Sequence, residues 1–314
     1  MKINKTYIAP MVGRTDVFFR TLVRVISDSI NLYTEMTTCD AYLYTSRKYY
    51  KVDENEHHIS IQLAGSDPKK FAQCAKIIKN NGYDEININV GCPSSKVVRG
   101  DFGACLMKKP ETLSSIVEEI TKHTDIPLSI KTRLGLNYDE SLDLLVDLIT
   151  KTSAVGCKKY IIHARNAVLG GLSPKKNRSI PKIRYNDAEK IAKIFPDLQF
   201  VINGEIEQVE SIEHQLNIFD GVMLGRKIYD DPVFIQSMQT HLDGQSSQIT
   251  RSEILEKYLD AIQLMKHDKS NYLLLRHLFG LYYNTPKSKM WKKFLHHTIS
   301  SDSSIDQLRE FKEL

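Results

Sequence analysis

Short apolar runs alternate along the chain with longer segments in which apolar residues recur every three or four positions. Eight runs rich in β-branched residues have the length of buried strands. They cover residues 7–11, 31–36, 58–64, 84–90, 127–132, 159–164, 199–203 and 221–225. This eightfold alternation predicts an α/β protein with a (β/α)8 TIM barrel rather than an open doubly wound sheet. The first strand is not followed by G-x-G-x-x-G, which argues against a dinucleotide-binding Rossmann domain.

Several predicted helices have recognisable end signals. Asp67 is a suitable N-cap before a proline, so we expect a helix over 69–80 that ends before Gly82. A second proline motif opens a predicted helix over 110–122. Apolar residues at helical spacing predict another helix over 138–150.

The pattern changes after the eighth predicted strand. Residues 244–248 form a polar linker, and the residues from Arg251 onward have helical patterns without strands. We therefore predict two domains, a catalytic barrel over 1–244 and a small helical domain over 245–314. Segment 266–297 has seven lysines and arginines against one acidic residue, Asp268, so the helical domain is strongly basic.

Composition excludes several classes of protein. The 314 residues are 41% hydrophobic and 26% charged, as in an ordinary soluble protein, and the net charge of +5 permits an anionic partner. The five cysteines have no metal-type spacing, so we expect free thiols, no metal and a reducing, cytoplasmic compartment. No signal-peptide pattern and no run near the ~18 apolar residues of a membrane span occurs. We therefore expect no contact with a membrane.

Polar or unusual residues stand at the C-terminal end of every predicted strand, where (β/α)8 enzymes have their active sites. In strand order they are Pro10-Met11, Glu35-Met36, Gln62, Asn87 and Asn89 before Cys92, Lys131-Thr132-Arg133, His163 with Arg165-Asn166, Asn203-Gly204, and Gly225-Arg226. A lone lysine or histidine at such a place ordinarily forms hydrogen bonds with neighbouring carbonyls. The dipeptides Asn203-Gly204 and Gly225-Arg226 are, each taken alone, typical of ordinary turns. Together they predict a site for an anionic ligand with polar edges.

FMN fits this set of residues better than a nucleotide with a long diphosphate bridge. The loops after strands seven and eight often bind phosphate in such barrels. Gly204 and Gly225 allow close backbone approach, and Arg226 adds charge-assisted hydrogen bonds. A cation near the flavin N1–C2 edge stabilises the anionic reduced form. Three side chains suit the polar edge of a flat heterocycle: Gln62, Lys131 and His163.

Cys92 has two interpretations. A cysteine at a strand end is ordinarily a small buried hydrophobe. Here it lies between Gly91 and Pro93 and leads into a glycine-bearing loop over 94–103, which would place the thiol at the barrel mouth. That context predicts an acid within reach of a substrate. The other four cysteines lack this setting and are assigned to packing: Cys39, Cys74, Cys105 and Cys157.

In combination, these motifs closely resemble those of the bacterial tRNA-dihydrouridine synthases over residues 7 to about 300. The matching segments are A-P-M at 9–11, Y-T-E-M at 33–36, Q-L at 62–63, N-I-N-V-G-C-P-S at 87–94, G-A-C-L-M at 103–107, K-T-R at 131–133, I-H-A-R at 162–165, N-G at 203–204 and D-G-V-M-L-G-R at 220–226. Two further segments resemble the A branch, which is associated with positions 20 and 20a of the D-loop. They are G-L-S-P-K at 171–175 with N-R at 177–178, and R-H-L-F-G-L at 276–281.

The resemblance implies an FMN-dependent, NADPH-using enzyme that reduces uridine to 5,6-dihydrouridine in tRNA, as a monomer without a stable protein partner. Hydride would pass from flavin N5 to C6 of a flipped-out uracil, and Cys92 would protonate C5. The implied FMN contacts are Pro10, Met11, Val12, Gln62, Lys131, His163, Asn203, Gly204, Glu205, Gly225 and Arg226. The implied tRNA contacts are Asn89, which would hold the target uracil, and Lys175, Arg178, Lys289 and Lys292.

The chain departs from the family pattern in two respects, at Glu205 and at the lysine pair Lys289 and Lys292. Glu205 stands where the family often has a second glycine, so we expect its side chain to point away from the phosphate. Lys289 and Lys292 replace an arginine pair, which keeps the charge but loses the bidentate fork. We expect Trp291, between them, to belong to a small core rather than to stack on a base.

Two other functions stay open from the residues alone. A flavoprotein that reduces a small free pyrimidine, resembling dihydroorotate dehydrogenases, would explain the barrel but not the basic helical segment. A tRNA-binding chaperone without catalysis would explain the basic segments 173–184 and 287–293. It would leave Cys92, Lys131 and His163 without a role.

Overall fold

The protein is described here from a computed structural model that covers residues 2–45, 52, 56–245, 249–265, 269–301 and 304–311. Nine β-strands occur in these ranges. They are β1 (Thr6–Ile8), β2 (Leu32–Tyr33), β3 (Thr37–Thr38), β4 (Ile59–Ala64), β5 (Glu85–Val90), β6 (Leu128–Arg133), β7 (Lys159–His163), β8 (Gln199–Asn203) and β9 (Gly221–Leu224). All of their pairings are parallel.

The strands form one sheet that closes on itself. Its order is β1-β9-β8-β7-β6-β5-β4-β2, and β3 also pairs with β4. A parallel bridge between Tyr7 and Asn31 joins β1 to the start of β2, and Ile8 N donates to Asn31 O at 2.9 Å. β2 and β3 both pair with β4 and count as one strand position, so the nine strands fill the eight positions of a closed parallel barrel. The predicted TIM barrel is confirmed.

The second strand, predicted over 31–36, was wrong in its bounds, because regular pairing is limited to β2 and resumes only in β3, after the predicted end. The amide of Gln62 on the neighbouring strand donates to Thr34 Oγ1 at 3.1 Å. A side-chain oxygen therefore replaces a backbone carbonyl in the ladder, which interrupts regular pairing. β3 then resumes pairing with β4.

Helices surround the barrel and continue beyond it. They are α1 (Val17–Ile26), α2 (Cys39–Tyr44), α3 (Pro68–Ile78), α4 (Ser95–Arg99), α5 (Pro110–Thr121), α6 (Asp143–Ala154), α7 (Tyr185–Ile194), α8 (Val209–Leu216), α9 (Arg226–Asp230), α10 (Phe234–Asp243), α11 (Arg251–Leu264), α12 (Asn271–Leu275) and α13 (Ser288–Ser300). Short 3-10 helices occur at Ile3–Lys5, Gly103–Lys108, Lys176–Arg178, Arg276–Gly280 and Ile305–Glu310. None of the described helices is both long and apolar enough to cross a membrane.

The helix signals in the sequence were largely correct. The side chain of Asp67 accepts from Lys69 N at 2.9 Å and caps α3, and α5 also begins with proline. The helix predicted over 138–150 was wrong at its start, because α6 begins only at Asp143. Before it, Ser141 N donates to Asp139 Oδ1 and Asp143 N donates to Ser141 Oγ, so side chains hold a turn instead.

The C-terminal helices and the barrel share one hydrophobic core, in which α11 packs against α1. Trp291 is fully buried there, and its indole N–H donates to the Leu278 carbonyl at 2.7 Å. Its ring contacts Tyr282 and Phe311. The core role predicted for Trp291 is therefore confirmed. Part of the predicted linker (246–248), Lys266 and Asp268 lie outside the described residues.

The R-H-L-F-G-L segment fastens these helices to the barrel. Asp16 caps α1 by accepting from Phe19 N at 3.1 Å, and it also pairs with Arg276 and, at 2.8 Å, with His277 Nε2. At Gly280 a Cβ atom would lie 2.5 Å from the Asp230 carbonyl oxygen, so only glycine allows this approach. The motif thus joins the C-terminal helices to the barrel beside its first and last loops.

Candidate active site

A cavity of about 630 Å³ opens at the C-terminal ends of the barrel strands. Fourteen of the 17 site residues that the family resemblance implies contribute to its wall. They are Pro10, Met11, Val12, Gln62, Asn89, Cys92, Lys131, His163, Arg178, Asn203, Gly204, Glu205, Gly225 and Arg226. Three predicted tRNA contacts, Lys175, Lys289 and Lys292, are exposed and do not line it. The structure therefore brings together all of the predicted cofactor contacts.

The cavity wall carries an excess of positive charge. Its charged residues are Arg14, Lys96, Lys131, Arg133, Arg178, Arg226 and Lys227, against Glu205 and Glu207. Burial, with repulsion from Arg226 and Arg14, lowers the pKa of Arg178. Since these guanidinium groups repel one another, an anion between them would relieve unfavourable energy. The wall is therefore suited to a phosphate.

Lys131 is held where β6 opens into the cavity. Its ammonium donates to Asn203 Oδ1 at 2.9 Å, and the Asn203 amide donates in turn to the Met223 carbonyl at 2.8 Å. Burial, followed by repulsion from Arg133, lowers the pKa of Lys131 to about 7. Its charge near neutral pH therefore responds to whatever occupies the cavity.

His163 is a neutral imidazole in the cavity wall. Burial, and then repulsion from Arg133 and Lys131, hold its pKa well below the ordinary value. Among the described residues no partner is found for His163 Nδ1 or for Nε of Arg178, although both atoms are buried. Buried polar atoms ordinarily have partners, so these two are suited to contact a bound molecule.

The turn after β8 shows how Glu205, which departs from the family pattern, is accommodated. Gly204 has φ of 128°, and Glu205 has φ of 48°, a left-handed conformation that favours glycine. The Glu205 carboxylate forms an ion pair with Arg165, whose side chain is almost fully buried. The negative charge beside the predicted phosphate position is thus balanced within the protein.

The backbone around Cys92 is fixed on several sides. Asn89 Oδ1 accepts from Cys92 N at 3.0 Å, and the Cys92 carbonyl accepts from Ala104 N at 3.1 Å. A Cβ on Gly103 would lie 2.9 Å from that carbonyl oxygen. The partly exposed thiol donates to Ser94 Oγ at 3.6 Å. Part of the loop predicted over 94–103 is the short helix α4, which begins three residues after Cys92.

Sequence reasoning missed Arg14, which follows the first strand. Its guanidinium lies 4.5 Å from the centre of the Tyr229 ring and lines the cavity. The available signal was a cation closely following the Ala-Pro-Met segment. All five cysteines are free, as expected, and Cys39, Cys74 and Cys157 are buried.

Comparison with known proteins agrees with this geometry. The profile of the dihydrouridine synthase (Dus) family matches residues 7–313. A tRNA-dihydrouridine(20/20a) synthase of Synechocystis sp. is 38% identical over 306 residues, which cover 96% of this chain and 90% of that protein. The protein of the same name from Pseudomonas aeruginosa is 37% identical over 311 residues, covering 98% and 92%.

A solved structure of morphinone reductase in complex with tetrahydroNAD has the same fold. It superimposes with a TM-score of 0.53 at 11% identity and covers 80% of this chain and 90% of that one. At that identity the likeness supports the barrel alone. The family match and the relatives, by contrast, extend over nearly the whole sequence. The chain belongs to the dihydrouridine synthase family.

Proposed function

We propose that this protein is an FMN-dependent tRNA-dihydrouridine synthase that uses NADPH to reduce the uridines at positions 20 and 20a of the D-loop. The observation that carries the proposal is that one cavity is lined by Cys92, by the buried amide residues Gln62 and Asn89, and by an excess of cationic residues. The names of the relatives support the substrate and its positions.

The phosphate of FMN would lie at the ends of β8 and β9. Gly204, Glu205 and Gly225 line the cavity there, and Arg178 and Arg226 add charge. The partnerless Nε of Arg178 supports an anionic occupant at this end. Pro10, Met11 and Val12 would pack along the cofactor on the β1 side.

The flavin ring would meet the neutral and charged donors of the barrel interior. Gln62 and His163 would form hydrogen bonds with the ring. Lys131 would add an ammonium group, whose pKa of about 7 rises when an anion is near. When bound, FMN supplies the hydride for the reduction, and NADPH renews it. Lys131 and Asn203 would hold the ring edge in place.

Cys92 would be the general acid that protonates the uracil. A general acid must lie within reach of the substrate, and Cys92 lines the cavity with its thiol 3.6 Å from Ser94 Oγ. Asn89, whose side chain fixes the Cys92 amide, would hold the uracil after it has left the base stack. Unstacking a base costs a few kcal/mol, which new contacts in the pocket offset.

We assign tRNA binding to two basic segments. In the first, Lys175 is exposed and the partly buried Arg178 lines the cavity. In the second, Lys289 and Lys292 are exposed on α13 around the buried Trp291. In this division, residues 1–244 are the catalytic barrel and 245–314 the helical tRNA-binding domain, in a monomer of the cytoplasm. Family membership favours tRNA over a free pyrimidine and over binding without catalysis.

Replacement of the acid separates catalysis from cofactor binding. We expect Cys92→Ala to keep FMN bound and to lower the rate of uridine reduction in tRNA by at least about 100-fold, because the general acid is lost. The measurement is single-turnover formation of dihydrouridine by the photoreduced enzyme. Cys105→Ala is the matched control, since that thiol is also partly exposed but does not line the cavity. Full activity of Cys92→Ala would refute the assignment.

The titration of Lys131 should make FMN binding depend on pH. Burial lowers the pKa of Lys131 to about 7, whereas bound flavin favours the charged ammonium, so binding takes up a proton above pH 7. FMN affinity, followed by quenching of flavin fluorescence, should therefore weaken as the pH rises from 7 to 9. Lys131→Met should flatten this dependence, and Lys96→Met should keep it. An equally steep dependence in Lys131→Met would contradict the role of Lys131.

Salt dependence tests the basic surface on α13. Replacing Lys289 and Lys292 by alanine should reduce the slope of log affinity for tRNA against log salt by about 1.4–1.8, since each of the two phosphate contacts contributes ~0.7–0.9. A filter-binding titration over a range of KCl concentrations provides the slope. Lys122→Ala is the control, because that lysine on α5 is exposed and paired with Glu118 and Glu119. An unchanged slope in the double variant would remove α13 from the tRNA surface.

A further inference from the structure

A row of polar side chains runs through the interior of the barrel toward Cys92. On β5, Glu85, Asn87 and Asn89 occupy alternate positions, so all three point to the same face of the strand. They are 7%, 0% and 8% exposed. The strand register places Gln62 of β4 and Ser129 of β6 on either side of Asn87. Five polar residues of three adjacent strands are therefore buried together.

The deep end of the row is an ion pair. Lys159 Nζ donates to Glu85 Oε2 at 2.8 Å. Burial disfavours the ammonium of Lys159, but Glu85 and Tyr7 together outweigh it, so the pKa of Lys159 is raised. Glu85 Oε1 accepts from Tyr33 OH at 2.7 Å, Ser60 Oγ at 3.2 Å and Ser129 Oγ at 2.6 Å. An ionised carboxylate can only accept, so every hydroxyl around Glu85 has to donate to it.

Because the Glu85 carboxylate can only accept, the direction of the hydrogen bond between Ser129 and Asn87 is also determined. A serine hydroxyl has one hydrogen, and Ser129 uses it toward Glu85. The Ser129 oxygen is then left as an acceptor, and Asn87 Nδ2 donates to it at 2.7 Å. The Asn87 side chain consequently has its amide nitrogen toward Ser129 and its oxygen toward Gln62.

The same reasoning extends to the active site. Asn87 Oδ1 accepts from Gln62 Nε2 at 2.7 Å, and Gln62 Oε1 accepts from Asn89 Nδ2 at 2.9 Å. Asn89 Oδ1 is thereby turned toward the Cys92 loop, where it accepts from the amides of Cys92 and Gly91. Reversing any one amide in this row would set donor against donor or acceptor against acceptor.

We propose that Ser129 and Asn87 are positioning residues of the active site. Because Glu85 can only accept, the hydrogen bonds through Ser129 and Asn87 fix which way the side-chain amides of Gln62 and Asn89 point. The inference rests on the proposed function, in which Gln62 contacts the flavin ring and Asn89 the uracil. It adds that the orientation of both amides, and with it the backbone of Cys92, is set from inside the barrel. Neither Ser129 nor Asn87 lines the cavity.

The test compares two serines that donate to the same carboxylate oxygen. Ser129→Ala removes the acceptor of Asn87 and frees the row to turn, whereas Ser60→Ala removes a hydroxyl from Glu85 and leaves the described Ser129–Asn87–Gln62–Asn89 row complete. We expect Ser129→Ala to weaken FMN binding and to lower kcat on tRNA by about 10- to 100-fold, because misplaced catalytic groups cost rate. KM for tRNA should change less than kcat, since the exposed lysines that are assigned to tRNA binding are intact.

Two further variants of Ser129 keep the comparison decisive. Ser129→Thr retains the hydroxyl and should restore FMN affinity and kcat. If Ser129→Ala does not fold, Ser129→Cys takes its place, since a thiol of similar size is a weaker donor and acceptor. Equal FMN affinity and kcat in the Ser129 and Ser60 variants would overturn the positioning role. A wild-type protein that neither binds FMN nor reduces tRNA would instead refute the proposed function itself.

Discussion

Polar groups inside the barrel must be hydrogen-bonded, because an unpaired group there costs several kcal/mol. The sequence of β5 puts a carboxylate and two amides on its inner face, and this constraint organises the rest of the interior. Lys159 neutralises Glu85 at the deep end, and Ser129 joins the carboxylate to the amides. The outermost amide, Asn89, reaches the Cys92 loop. A requirement of folding thus also orients the groups that face the cavity.

In the cavity wall, unlike the barrel interior, charges and polar atoms are not balanced within the protein. There the barrel gathers cations that repel one another, and it leaves buried nitrogens of His163 and Arg178 without partners in the described residues. An anionic ligand would offset the repulsion between these cations, and a bound molecule would supply partners for the two nitrogens. A flavin phosphate and the phosphates of an RNA are both anionic. The same excess of charge therefore serves the proposed cofactor and the proposed substrate.

The sequence predicted the barrel and the groups at its mouth because both follow from local rules. Strand periodicity gives the repeat, and the C-terminal ends of parallel strands meet at one face, so Gln62, Lys131 and His163 were expected together. The side chain of Trp291 was correctly expected in a core. The start of α6 was misplaced because Asp139 and Ser141 form a turn that apolar spacing does not reveal.

Contacts between distant segments were beyond prediction from one sequence. The alternation of Glu85, Asn87 and Asn89 is visible along β5, but Ser129 lies on another strand and only the register makes it their link. Likewise, the glutamate at 205 looked unfavourable beside a phosphate until its pairing with Arg165 was known. Tertiary packing chooses such partners, and no spacing rule specifies them.

The central claim is that this protein reduces uridines at positions 20 and 20a of tRNA. The most direct measurement maps dihydrouridine, position by position, in tRNA from a strain lacking the gene and from the same strain with the gene restored. We predict that dihydrouridine at positions 20 and 20a is absent from the first and present in the second, while dihydrouridine elsewhere is unchanged. An identical dihydrouridine pattern in the two strains would contradict the claim.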